Sequence, residues 1–301
     1  MPEGHSIHRL ARQFSSVFAG SRLAVTSPQG RFSSGAARLD GQVLEGAEAH
    51  GKQLFLRFDN DLYLRIHLGL YGAFDFGGDE TFAGASSIGA PRRVGEREIA
   101  GDGAAEDTAY AGPPPPRGAV RVRLVSDHGW ADLRGPTACE VITEPERAAV
   151  LARLGPDPLA ANAAEGDGGQ EFSERLRSKG SPVGLLLMNQ EVLAGVGNVY
   201  RAEVLFRRRI SPWRLGRDIS EAEAAEVWAE TVTLMNDGVR QGRIITTEPQ
   251  DREDAGEPVP VSEAHYVYKR TGLPCRRCGT AVAGTEMGAR KLYWCPTCQA
   301  R

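Results

Sequence analysis

CRRCGTAVAGTEMGARKLYWCPTC, residues 275–298, decides how the rest of the chain is read. Cys275 and Cys278 form one CxxC knuckle, and Cys295 and Cys298 form a second after 16 intervening residues. Two knuckles at the ends of a short hairpin place four thiolates tetrahedrally around zinc. Four sulfur ligands leave no position for water or substrate, so one zinc per chain is expected, in a structural role. An iron–sulfur cluster or four unligated thiols are the alternatives that the same residues permit. The fifth cysteine, Cys139, falls in a strand pattern and reads as a small buried apolar residue.

Within the hairpin, Arg290-Lys291-Leu292-Tyr293-Trp294 runs into the second knuckle. A guanidinium fixed there is either ordinary surface or a bidentate clamp for a phosphate. The charge distribution bears on the choice. The net charge is only −3, yet residues 265–301 carry seven basic side chains against Glu286 alone. Residues 156–174 carry five acids and no Lys or Arg. A basic tail on an acidic body is compatible with a phosphate-binding face.

Towards the N-terminus, SPVGLLLMN (181–189), NVYRAEVLFRR (198–208) and SEAEAAEVWAETVTLMNDGVR (220–240) have helical periodicity. GVGN (195–198) brings two glycines to a helix start. It is a plain connector, or a place where free N–H groups meet an anion. Earlier still, QLFLRF (53–58) and LYLRIHL (62–68) flank the turn Asp59-Asn60-Asp61, and AVRVRLV, WADLR and CEVIT alternate as half-buried strands. Residues 83–117, rich in Gly, Ala and charge and ending in PPPP, read as a disordered insertion. Ile7, Leu10, Ala11, Phe14, Val17 and Phe18 predict a first helix, with Ser6 as its cap and Gly20 as its stop.

At 301 residues two domains are expected from length alone. No apolar run reaches the ~18 residues of a membrane span, and no signal-peptide core begins the chain, so a cytoplasmic protein is expected. GLYG (69–72) sets Leu70 and Tyr71 between glycines directly after a strand. They either fold back on the core or form a wedge that fills the gap left by an extruded nucleotide. The chain opens MPEG. Pro2 is a chance small residue, or, once Met1 is removed, a secondary amine titrating near pH ~8 that attacks a carbonyl-like carbon. Lys52, in HGKQLF, reads on its own as solvated surface.

Taken in order, MPEG, HGKQLFL, HLGLYG, LGPDPL, LAGVGNVYRAEVLF and RKLYWCPTCQ resemble the formamidopyrimidine-DNA glycosylase and endonuclease VIII family, over nearly the whole chain except the insertion and the acidic loops. The resemblance implies an α+β protein in three parts. These are an N-terminal catalytic β-sandwich led by a helix (1–143), a helix–two-turn–helix DNA-binding domain (144–250) and a C-terminal zinc-finger β-hairpin (265–301). It implies a bifunctional DNA glycosylase/AP lyase of base excision repair that cleaves the strand by β,δ-elimination. Pro2 matches the Schiff-base nucleophile, Glu3 the general acid/base, and Lys52 a catalytic lysine on the damaged site's phosphate. Asn198 and Arg290 match the phosphate-gripping pair. Leu70 and Tyr71 resemble the endonuclease VIII wedge, which favours oxidised pyrimidines. Oxidised-purine specificity, or a zinc-finger DNA binder weak in catalysis, are the alternatives. His5 and Ser6 stand where the family commonly has proline and glutamate, and Gly69 where the endonuclease VIII wedge has a longer polar residue. The expected partner is damaged DNA, duplex or single-stranded, met by a nucleoid-associated monomer.

Overall fold

The computed structural model describes residues 2–90, 112–163, 166–254, 256 and 258–300. The chain divides into two compact units, residues 1–152 and 153–301.

The first unit is a β-sandwich led by a helix. Helix α1 (Gly4–Val17) turns Ile7, Leu10, Ala11 and Phe14 inward. It packs against β2 (Leu44–His50) and β3 (Gln53–Phe58). Its first turn begins earlier than the sequence suggests, because Glu3, not Ser6, is the N-cap residue, and Ser6 lies buried inside the helix. Strands β2 and β3, β4 (Leu62–His67) and β9 (Ala138–Thr143) form one antiparallel sheet in that order. The other sheet runs β1 (Ala24–Thr26), β7 (Val120–Val125), β8 (Gly129–Arg134), β5 (Ala73–Gly78) and β6 (Ser87–Gly89). Alternating side chains from both inner faces, among them Leu54, Leu56, Leu64, Ile66, Phe74, Val122 and Leu133, make one core with α1. Helix α2 (Ser33–Leu39) adds Ala36 and Leu39 to it.

Two sequence expectations change here. The stretch 83–117 is not structureless at its start. Ser87–Gly89 is an edge strand paired with Ala73–Asp75, and Ile88 is buried, because one apolar residue at the right register is enough to seat a short strand. Residues 91–111 of that stretch lie outside the described residues. Helix α3 (Glu144–Leu151), assigned by sequence to the helical part, lies against β4 and β9 of the sandwich. There Arg147 sits over the rings of Phe55 and Tyr63 and pairs with Glu48 and Glu144.

The second unit holds helices α4 (Gly168–Arg177), α5 (Val183–Leu186), α6 (Asn198–Arg207) and α7 (Glu221–Gln241) around Phe172, Leu186, Tyr200, Leu205, Trp228 and Met235. SPVGLLLMN gives only the single turn of α5, since Met188 and Asn189 already bend into the glycine turn. Helix α7 starts at a capping box, Ser220 with Glu223, and Arg214 and Ser220 hold the Glu223 carboxyl down to about 2. Strands β10 (Ala283–Met287) and β11 (Arg290–Trp294) form the finger hairpin. Its Tyr293, Cys275 and Cys295 share a small core with Ala202 and Phe206 of α6 and with Tyr266. The α+β class and the three-part composition read from the sequence hold.

Candidate catalytic and DNA-binding sites

In the first unit, Pro2 and Glu3 are both buried, Glu3 completely. Glu3 is extended (φ −122°, ψ −178°) because helical geometry begins at Gly4, and its side chain makes no capping hydrogen bond. A buried carboxylate thus stands directly behind Pro2 without serving as the cap. His5 follows in the first turn. Burial, with Arg9 and the terminal amine adding to it, pushes its imidazole down to about 3, so the ring is neutral at physiological pH. Ser6 Oγ lies 3.2 Å from His5 Nε2.

Lys52 occupies a two-residue turn between β2 and β3, closed by the pair His50 and Gln53, with Gly51 at φ 55°. It is half-buried and close enough to His67, the last residue of β4, to depress that ring's basicity after burial itself. His67 Nδ1 has no hydrogen-bond partner among the described residues. Sequence reasoning passed over His67; its place two residues before the GLYG turn was the available signal. That turn is sterically fixed. Gly69 has φ 67°, and a Cβ there would lie 1.8 Å from Thr137 Oγ1. A Cβ at Gly72 would lie 2.3 Å from Leu68 O. Leu70 is half-buried and Tyr71 is 82% exposed, so Tyr71 does not fold back on the core.

In the second unit the glycine turn is stapled by Gln190, whose side chain accepts from Gly195 N–H and donates to Val196 O, both at 3.0 Å. Helix α6 then starts at Asn198, which is 6% exposed. Asn198 Nδ2 donates to Lys291 O at 2.9 Å, and its Oδ1 accepts from Arg201. Asn198 therefore touches the residue next to Arg290, and Arg290 itself is exposed at the start of β11. Arg201, wholly buried, was not singled out by the sequence. Its i+3 spacing from Asn198 put both on one helix face. Of the tail's basic residues, Arg270, Arg276 and Arg277 are committed inside the fold, while Lys269, Arg290 and Lys291 are exposed. Arg276 pairs with Glu263 at 2.5 Å, and Arg277 lies over Tyr266 and 3.5 Å from Asp251.

The four cysteines converge. Their sulfurs all lie within 4.8 Å of one another, with Cys275–Cys298 at 3.9 Å and Cys278–Cys295 at 3.4 Å. Zn–S bonds of ~2.3 Å in a tetrahedron need sulfurs ~3.8 Å apart, so the donor set fits zinc. Hydrogen bonding by Thr280 holds Cys278 down to about 6, the thiolate form a metal takes. Cys139 packs against the sandwich core, and burial pushes it up to about 12, as an inert buried thiol.

Three family models match in sequence order. The formamidopyrimidine-DNA glycosylase N-terminal domain matches residues 1–130, the formamidopyrimidine-DNA glycosylase H2TH domain residues 154–250, and the zinc finger found in FPG and IleRS residues 272–301. A Mycobacterium tuberculosis protein named Endonuclease 8 1 is 41% identical over 304 residues, covering 99% of this chain and 100% of that one. The chain belongs to the formamidopyrimidine-DNA glycosylase and endonuclease VIII family. The formamidopyrimidine-DNA glycosylase of Thermus thermophilus is 36% identical over 150 residues, 50% of this chain and 55% of that one. Among solved structures, Lactococcus lactis formamidopyrimidine-DNA glycosylase bound to DNA containing N7-benzyl-Fapy-dG aligns over all of both chains with TM-score 0.75 at 19% identity. The Thermus thermophilus MutM protein aligns over 100% of this chain and 99% of its own, with TM-score 0.71 at 25% identity.

Membership of the formamidopyrimidine-DNA glycosylase and endonuclease VIII family makes this chain a DNA glycosylase and AP lyase of base excision repair, with one structural zinc. No helix among the described residues is long and apolar enough to cross a membrane.

Proposed function

We propose that Pro2, freed by removal of Met1, is the nucleophile of this glycosylase, and that oxidised pyrimidines are the bases it favours. The observation that carries the reading is the wholly buried Glu3 carboxylate, placed directly behind Pro2 and not used to cap α1. The secondary amine attacks C1′ of the damaged nucleotide and the N-glycosidic bond breaks, the base leaving with its electron pair and taking up a proton from water. The Glu3 carboxylate takes the proton that the attacking nitrogen loses and passes it to O4′ as the sugar opens, giving a cationic iminium on Pro2. The iminium acidifies C2′. Loss of that proton expels the 3′ phosphate, and a second elimination expels the 5′ phosphate. Lys52 holds the damaged site's phosphate. Leu70 and Tyr71 fill the space left by the extruded nucleotide, supported by the exposure of Tyr71 on a turn that glycines keep tight.

Asn198 and Arg290 grip the backbone, supported by the hydrogen bond from Asn198 Nδ2 to the carbonyl of Lys291, the residue after Arg290. In this reading the sandwich carries catalysis, the helical part and finger hold DNA, and the protein works as a monomer on the cytoplasmic nucleoid. Pyrimidine preference rests on the Leu70–Tyr71 pair and on the full-length relative named Endonuclease 8 1. The half-length match to a formamidopyrimidine-DNA glycosylase supports the oxidised-purine alternative. A panel of oligonucleotides, each with one defined lesion, separates them by which base is released first.

Borohydride on abasic DNA is expected to trap a covalent adduct whose protein mass lacks Met1. Pro2→Gly is expected to trap less, and protein retaining Met1 almost none. Full trapping by protein that retains Met1 would move the nucleophile to Lys52.

A further inference from the structure

We infer that Arg201, which no role above absorbs, is a positioning residue that couples Asn198 to Arg290 and so sets the geometry of the phosphate grip. The inference rests on the reading of Asn198 and Arg290 as that grip. Arg201 is 0% exposed, on the second turn of α6. Its Nη2 donates to Asn198 Oδ1 and, at 3.2 Å, to Lys291 O. Its Nη1 reaches Gly184 O at 3.3 Å and Met287 O at 3.4 Å. One guanidinium thus joins α5, the start of α6 and both strands of the finger hairpin.

The two hairpin carbonyls it holds matter most. Met287 pairs with Arg290 across the two-residue turn Gly288-Ala289, whose φ values are 61° and 55°. Met287 O lies before the turn and Lys291 O after it, so the fork holds the base of the loop on both sides of Arg290. The turn has little room to shift otherwise. A Cβ on Gly288 would lie 2.6 Å from Leu185 Cδ2, and one on Gly184 would lie 2.8 Å from Met287 Sδ. The same fork settles which way Asn198 faces. With Oδ1 accepting from Arg201, its Nδ2 is turned toward Lys291 O, which also accepts from Arg201. Only a planar, forked cation reaches four acceptors in this way, and an ammonium at the same depth cannot.

The experiment is a double-mutant cycle on the full-length, zinc-loaded protein. The probe is a duplex with a tetrahydrofuran abasic analogue, read by fluorescence anisotropy at several salt concentrations. Arg290→Ala in the parent is expected to weaken binding about tenfold or more and to flatten the salt dependence by about one phosphate contact. In an Arg201→Gln background the same change is expected to weaken it by less than about twofold, because the grip is already disengaged. The apparent KM should rise in Arg201→Gln, while the single-turnover rate at saturating enzyme stays near the parent's. Should Arg201→Gln lose zinc or fail to fold, Arg201→Lys replaces it, keeping the buried charge but not the fork, and the same loss of coupling is expected. Additive effects in a variant that folds and holds zinc overturn the inference and leave Arg201 a core residue. An Arg290→Ala protein with parent affinity and salt slope overturns the grip itself, and the inference with it.

Discussion

His5 is the residue whose burial has the plainest measurable consequence. Its ring stays neutral in the folded protein down to about pH 3, whereas in the unfolded chain it takes a proton near 6.5. Between those values the unfolded state binds more protons, so stability is full above pH 6.5 and falls as the pH drops through the window. The share from this one group is about 2 kcal/mol between pH 7 and pH 5, by the linkage relation. His5→Gln should therefore flatten the acid limb of a Tm-against-pH curve. An unchanged limb would mean that the ring is solvated. His67 and His265, also lowered by burial, act with the same sign and keep part of the slope. At this scale the sequence was readable where spacing alone carries the chemistry, as at the four cysteines. It was silent on Arg201, because a buried arginine and a surface arginine are the same letter until the packing is known.

Elements were legible where a period was long and a turn was marked. The alternation in QLFLRF and LYLRIHL gave β3 and β4, and the long helical period of SEAEAAEVWAETVTLMNDGVR gave α7. The exceptions were short: α5 is one turn because the following glycine turn takes its last residues, and β6 is a three-residue edge strand inside a stretch of low-complexity composition. The GLYG turn is an element of this size with a test of its own. Unstacking a base costs a few kcal/mol in duplex DNA and less where the base is already unpaired. Leu70→Ala with Tyr71→Ala should slow base excision from duplex DNA tenfold or more, on the order of ~1.4 kcal/mol. Cleavage of an abasic site in single-stranded DNA should change little, and the Tm by only a degree or two, given that Tyr71 is exposed. Proportionate losses on both substrates, with a lower Tm, would return the pair to the core.

For the whole molecule, the decisive fact is that the finger shares its small core with α6. Stripping the metal should loosen more than the hairpin, since Phe206 and Tyr266 pack directly behind Cys275 and Cys295. One zinc per chain is expected by elemental analysis. Cys275→Ser is expected to abolish DNA binding while hydrogen exchange of β3 and β4 stays slow, because those strands belong to the other unit's core. Fast exchange there on loss of zinc would mean that the two units fold as one. The change of character at LGPDPL (154–159) lies beside the division after Ala152, whereas a boundary at 143 leaves α3 on the helical side. Helix α3 is held to the sandwich by Arg147 between two rings, a tertiary contact with no local signature.

Glu203 gives the second unit a capacity of a different kind. Its carboxylate accepts from the N–H groups of Tyr266, Val267 and Tyr268 at 2.7–2.9 Å and from Thr246 Oγ1. Thr246 N–H meets Ala264 O at 2.8 Å, and Thr247 Oγ1 meets Glu263 O at 2.6 Å. The chain is thus sutured where it leaves α7 and again where it enters the finger. What lies between is a cassette with closed ends. Loop closure grows costlier only with the logarithm of length, so the segment between Arg252 and Val259 can change length at little cost, provided Glu248 and Asp251 stay to hold Arg207, Arg277 and Tyr266. Evolution, or an engineer, has here a socket for exchanging whatever that segment touches.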